Sequence, residues 1–209
     1  MTVKVAAVVV AAGRGLRAGG DLPKQYRLIL GEPMIRPSLA ALARHSGISA
    51  VQPVIHGDDA ALFQAAVAGL DLLPAVHGGA SRQASVRAGL QALERHRPDL
   101  VLVHDAARPF ASDALITRAI AAAGTSGAAV PVIAVADTVK TVDATGCVTG
   151  TIDRGHLRMV QTPQAFGFAS FSMRISGPPP QGVTISPTTP RSPNGRASRS
   201  PRSRVRLGT

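Results

Sequence analysis

The chain has 209 residues and is 45% hydrophobic, which gives room for one domain with a real core. Aromatic content is 3% with no Trp, so that core falls to Ala, Val, Leu and Ile. The net charge of +11 is unevenly placed: residues 171–209 hold seven Arg and no Asp, Glu or Lys, leaving +4 for residues 1–170. The body is therefore mildly basic, which argues against a nucleic-acid-binding domain. No apolar run approaches the ~20 residues of a membrane span. The apolar start leads into Gly13-Arg14-Gly15 rather than a signal-peptide cleavage site. The single cysteine, Cys147, excludes an internal disulfide and suits a reducing cytoplasm.

Val5–Val10 is a continuous Val-rich run, the pattern of a buried parallel strand. Pro37–His45 reads as helix and Ala50–Ile55 as strand. Asp58–Gly69 is helical, and Leu72–His77 is a short strand. Ser81–His96 reads as an amphipathic helix, Leu100–His104 as strand, Ser112–Ala123 as helix and Ala128–Ala134 as strand. This alternation predicts an α/β domain with a mostly parallel sheet. Thr138–Val142 and Cys147–Ile152 flank the turn Asp143-Ala144-Thr145-Gly146 and read as an inserted β-hairpin, an arm suited to a partner subunit. After Phe171 the chain is dominated by Pro, Ser, Arg and Gly without periodicity, and disorder is expected there. The domain reading is thus 1–170 for the folded body and 171–209 for the tail.

Three segments point to one site. The first is the glycine loop Gly13-Arg14-Gly15-Leu16-Arg17 with Pro23-Lys24-Gln25-Tyr26. Glycines present bare N–H groups to an anion, Arg17 offers a planar fork and Lys24 a compact charge. The loop also fits the dinucleotide pattern G-x-G-x-x-A, but Glu32 sits in the turn Gly31-Glu32-Pro33 rather than where a ribose-binding acid belongs. The second is His104-Asp105-Ala106-Ala107-Arg108-Pro109 after a Val/Leu strand. A carboxylate there can hold Mg²⁺ beside polyphosphate, or simply cap a helix. His104 reads as structural. The third comprises Thr151-Ile152-Asp153-Arg154 and Gln161-Thr162-Pro163-Gln164. Gly78–Val86 is a glycine turn entering a helix, whose serines either contact a nucleoside or cap the helix.

Taken together, A-A-G-R-G-L-R with P-K-Q-Y, G-G-A-S-R-Q-A-S-V, H-D-A-A-R-P, D-T-V-K-T and T-P-Q-A-F resemble the 2-C-methyl-D-erythritol 4-phosphate cytidylyltransferase family of the non-mevalonate isoprenoid pathway. The resemblance covers residues 5–168 in family order. It implies a Rossmann-like nucleotidyltransferase fold and a Mg²⁺-dependent reaction, in which the 4-phosphate of methylerythritol attacks the α-phosphorus of CTP and releases pyrophosphate. By resemblance, Ala11, Ala12, Gly13, Gly79 and Ser85 would contact the cytidine. Arg17 and Lys24 would be catalytic, stabilising charge on the triphosphate. Asp105 would serve the metal and the substrate hydroxyls, and Arg108, Thr138, Arg154 and Thr162 the polyol phosphate. Family members are homodimers, here through the 135–154 arm, and some carry a fused cyclodiphosphate synthase.

After T-P-Q-A-F the family's helix, acidic T-D-D segment, strand and N-x-K-x-T motif are not seen. A reading-frame shift near Ser170 is the expected cause. With codons rebuilt one base out of phase, Gly182–Ala197 can encode R-D-D-F-T-D-D-A-A-V-A-E-W-A-G. The chain as given is then expected to turn over little substrate and to be poorly soluble or partly molten. The alternatives are an NAD-dependent oxidoreductase, resting on G-x-G-x-x-A, and a nucleic-acid-binding protein using the basic tail, which lacks aromatics for stacking after Phe171.

Overall fold

The computed structural model describes residues 3–13 and 22–176. It divides them into two compact units, one reaching to Pro131 and resuming at Val160, the other spanning Val132–Met159.

The first unit runs β1 (Val5–Ala11), β2 (Leu28–Ile29), β3 (Glu32–Pro33), α1 (Ile35–Arg44), β4 (Ala50–Ile55), α2 (Ala60–Val67), β5 (Val76–His77), α3 (Arg82–Leu93), β6 (Leu100–Asp105), α4 (Asp113–Ser126) and β7 (Ala128–Ala129). The second unit contains β8 (Val132–Ala134), β9 (Val139–Val142) and β10 (Val148–Ile152). The chain returns through β11 (Arg158–Val160) to β12 (Gln164–Gly167) and α5 (Phe168–Ser176).

The main sheet has the order β5-β4-β1-β6-β12-β7. β5, β4, β1 and β6 are parallel, whereas β12 runs antiparallel to both β6 and β7. Side chains alternate across each strand. On one face Val5, Ala7, Val9, Leu100 and Leu102 pack with Ile35, Leu39 and Leu42 of α1 and Ile116 of α4. On the other, Ala6, Val8, Val101 and Val103 pack with Val86, Leu90 and Leu93 of α3. Burial on both faces explains why β1 and β6 read as unbroken apolar runs. The mostly parallel α/β class is as the sequence implies.

Several boundaries differ from the sequence reading. Ala128–Ala134 is two strands broken at Val130-Pro131: β7 joins the main sheet and β8 pairs with β11. Proline has no N–H to continue a ladder, so the run divides there. Of the predicted 72–77 strand, Val76–His77 pairs with β4 as a strand, and upstream Leu73 N–H donates to Val51 O at 2.9 Å. Gly31-Glu32-Pro33 is not itself the turn. Leu30 and Gly31, with φ of 52° and 86°, form the tip of a two-residue hairpin, and Glu32 begins β3. The sequence reading expected disorder after Phe171 and no helix following T-P-Q-A-F; a helix is present there, and the residues beyond 176 lie outside the described ones. α5 continues to Ser176, with Phe171 stacked on Phe166 at 4.1 Å and Ile175 packed against the α3-side cluster.

In the second unit, β9 and β10 form the antiparallel hairpin expected from the Asp143–Gly146 turn. Asp143 Oδ1 accepts hydrogen bonds from Thr145 N–H at 2.9 Å and Cys147 N–H at 3.0 Å, and Gly146 supplies a φ of 81°.

Candidate nucleotide and phosphate site

Candidate groups gather where β1 and β6 end and α3 begins. β1 and β6 pair in register, so Val10 lies beside Asp105, and Ala106 N–H donates to Val10 O at 3.0 Å. Ser38 of α1 donates to Ala106 O at 2.8 Å, which fixes the turn after β6.

Ala11 and Ala12 are buried and Gly13 is exposed at the mouth of β1. Gly78 meets this strand end so closely that a Cβ there would lie 2.3 Å from Ala12 Cβ and 2.6 Å from Ser85 Oγ. Only glycine allows the approach. Ser85 is buried. Its hydroxyl donates to Ser81 O at 3.0 Å and accepts Gly79 N–H at 3.2 Å. Its one proton is thus used inside the protein, and it shapes the Gly78-Gly79 turn as well as lining it. Ser81 caps α3 by accepting Ala84 N–H at 3.0 Å, the capping role weighed from sequence.

Asp105 is held between two guanidinium groups. Arg82 Nε and Nη2 both lie 2.9 Å from its Oδ1, and Arg108 Nε lies 3.6 Å from Oδ2. Arg108 also donates to Gln161 Oε1. The carboxylate and two arginines leave one net positive charge, suited to a phosphate. Arg82 was missed from sequence, although a signal existed. It opens α3, where the helix dipole disfavours a cation, so a compensating anion was to be expected.

His104 is fully buried beneath this cluster. Its Nε2 lies 3.0 Å from Arg108 O, which can only accept, so Nε2 carries the proton. Nδ1 then accepts the Thr162 hydroxyl at 2.9 Å, and Thr162 Oγ1 accepts Asp105 N–H at 3.4 Å. Burial pushes the His104 pKa below its ordinary 6.5, against the hydrogen bond to Arg108 O and the nearby Asp105 charge. The structural role read for His104 is sharpened: it ties Thr162 and Arg108 together.

Lys24 is exposed on a short 3-10 turn whose other residues, Gln25 and Tyr26, point inward. Arg17 lies outside the described residues. Thr138 and Arg154 belong to the second unit, where the Arg154 guanidinium donates to Ala136 O. For a cation, Asp105 is the one carboxylate in this cluster, and no group of three or more His, Cys, Asp or Glu that could hold a metal occurs among the described residues. Both oxygens already face guanidinium groups, Oδ1 that of Arg82 and Oδ2 that of Arg108, so a cation would share Asp105 with them. That fits Mg²⁺ carried largely by phosphate oxygens and water, not a cation caged by protein. The recess between α2 and the segment before β5, about 410 Å³ and lined by Phe63, Val67, Leu72 and Ala75, holds none of these groups. Among the described residues no helix is long and apolar enough to cross a membrane.

An open, mostly parallel sheet with glycine turns and paired cations at its carboxyl edge is the construction of a nucleotide-handling α/β protein. The comparisons place it within that class. Residues 5–182 match the family model "2-C-methyl-D-erythritol 4-phosphate cytidylyltransferase" (IspD), and the chain belongs to that family. It is 62% identical over 165 residues to the bifunctional enzyme IspD/IspF of Rhodopseudomonas palustris strain HaA2, covering 79% of this chain and 41% of that protein. The corresponding protein of Bradyrhizobium diazoefficiens is 58% identical, with 42% of its length covered. The chain thus spans about two-fifths of the length of these curated relatives. Among solved structures, the 4-diphosphocytidyl-2C-methyl-D-erythritol synthase of Anaerococcus prevotii superposes with a TM-score of 0.71 at 30% identity, covering 83% of this chain and 74% of that one. The cytidylyltransferase of Thermus thermophilus gives 0.58 at 35% identity, covering 81% and 72%. Neither alternative from the sequence reading, oxidoreductase or nucleic-acid binder, finds support in these relatives.

Proposed function

We propose that this chain binds CTP with Mg²⁺ and transfers CMP to 2-C-methyl-D-erythritol 4-phosphate in isoprenoid precursor synthesis. The observation that carries this reading is the close seating of Ala12 against Gly78 and Ser85, a small-residue seam where β1 meets α3. Bare backbone there suits a nucleoside, and Lys24 with Arg17 suits its triphosphate. Asp105 would help hold the metal, which would supply charge neutralisation on the phosphates. Arg108 and Thr162 are assigned to the polyol phosphate, and Thr138 and Arg154 of the second unit to the same substrate in the neighbouring subunit. The incoming phosphate is already a nucleophile, so the chain's task is positioning and charge neutralisation rather than proton abstraction.

Calorimetric titration tests this directly. CTP with Mg²⁺ should bind and NAD should not, and the reverse would overturn the assignment. A homodimer through the 135–154 arm is supported by apolar residues exposed on it: Val142 at 52% and Ile152 at 38%. Sedimentation velocity should show twice the chain mass, and a monomer at micromolar concentration would refute it. The lone Cys147 supports a cytoplasmic setting. The frame shift near Ser170 is also retained as a proposal. Resequencing the source DNA across the codons for Phe168–Ile175 should reveal a missing or extra base, and confirmation of the present frame would refute it.

A further inference from the structure

Gln25 is buried, with 4% of its surface exposed, on the turn that carries exposed Lys24. A side-chain amide nitrogen has two hydrogens. Here both are directed to the mouth of β1: Nε2 donates to Ala11 O at 2.7 Å and to Gly13 O at 3.2 Å. Those carbonyls flank Ala12, the residue seated against Gly78 and Ser85. One amide therefore spans the first residues of the glycine loop. Tyr26, the next residue, is 4% exposed and enters the core cluster of β1, α1 and α2, so the turn is anchored independently of its lysine.

We propose that Gln25 is a positioning residue for nucleoside triphosphate binding, tying the Lys24 turn to the Ala11–Gly13 backbone. With both carbonyls held by Gln25, they are turned away from an incoming anion. Lys24, one residue along a rigid turn, is held at a set distance from the same loop. The nucleoside end and the phosphate end of the ligand thus meet a surface whose spacing exists before binding. This rests on the CTP reading above.

A second buried glutamine provides a matched control. Gln52 on β4 is 1% exposed, and its Nε2 donates to two carbonyls, Pro53 O at 3.0 Å and Pro74 O at 2.8 Å. Neither belongs to the candidate site. The experiment titrates CTP with Mg²⁺ into the full 209-residue chain and its Gln25→Leu, Gln25→Asn and Gln52→Leu variants, beside urea unfolding of each. Gln25→Leu should weaken CTP binding about tenfold or more. Gln52→Leu should lower the urea midpoint and leave the CTP affinity unchanged. Gln25→Asn keeps the amide but falls one methylene short. It should also weaken binding, and it carries the test if the leucine variant does not fold. Unchanged CTP affinity in the Gln25 variants overturns the proposal, as does an equal loss in Gln52→Leu. A cooperatively folded unaltered chain that binds no CTP overturns the cytidylyltransferase reading, and the proposal with it.

Discussion

A Gly78→Val chain should lose CTP binding by more than about a hundredfold and about 1–3 kcal/mol of folding stability. The added Cβ would lie 2.3 Å from Ala12 Cβ and 2.6 Å from Ser85 Oγ. Neither neighbour can step back. The carbonyls on either side of Ala12 are held by Gln25, and Ser85 is tied to Ser81 O one helical turn earlier. The strand end and the helix start must therefore separate. Ala11, Ala12, Gly13, Gly79 and Ser85 all lie on the two bodies being pushed apart, so binding should suffer more than the fold. Titration calorimetry and urea unfolding of the same preparation separate the two effects. Unimpaired CTP binding in a normally stable variant would show that this seam is not where the nucleoside sits.

Acidification should weaken folding through His104. Its imidazole is neutral and buried, and its pKa lies below the ordinary 6.5 because the charged form is desolvated. The unfolded chain takes up a proton near pH 6.5 while the folded one does not. The stabilisation is therefore fully present above 6.5 and is lost as pH falls from there toward the folded value. Replacing His104 by Leu should remove that part of the pH slope. It should also cost about 1–3 kcal/mol at pH 7.5, because the Thr162 hydroxyl and Arg108 O lose their buried partner. Urea midpoints between pH 5 and 7.5, without divalent cations, measure both. An unchanged slope in His104→Leu would assign the pH dependence to other groups.

These features were unequally visible in the sequence. β1 and the first four residues of β6 could be read because burial on both faces writes an unbroken apolar run, and β4 because its apolar residues flank only Gln52 and Pro53. The β9–β10 hairpin could be read because Asp143 and Gly146 are turn residues with a mechanism. β12 was not read as a strand: Gln164–Gly167 is four residues long and follows a proline, and its place between β6 and β7 depends on partners far off in sequence. The β2–β3 hairpin, two residues a side, is too short for any period to show. In the site, glycines and the Asp105-Arg108 pair were legible as chemistry. Gln25 was not, because a glutamine that clamps two carbonyls and one that faces solvent are written alike. Arg82 needed its distant partner Asp105 to acquire meaning.

The placement of β12 has a consequence for how this protein can be rebuilt. Ala129 of β7 and Ala165 of β12 are direct cross-strand partners. Everything from 130 to 163 leaves the main sheet, and the chain then returns to the neighbouring lane. Such a segment is a cassette spliced between two adjacent antiparallel strands, and a short turn in its place would leave the ladder intact. The cassette holds Thr138, Arg154 and Thr162, three of the residues proposed for the second substrate, while Arg108, proposed for the same substrate, and the seam between β1 and α3 lie outside it. Exchanging the segment up to Gln161 should therefore alter one part of the proposed acceptor side while keeping Thr162, its hydrogen bond to His104 and the β1–α3 seam in place.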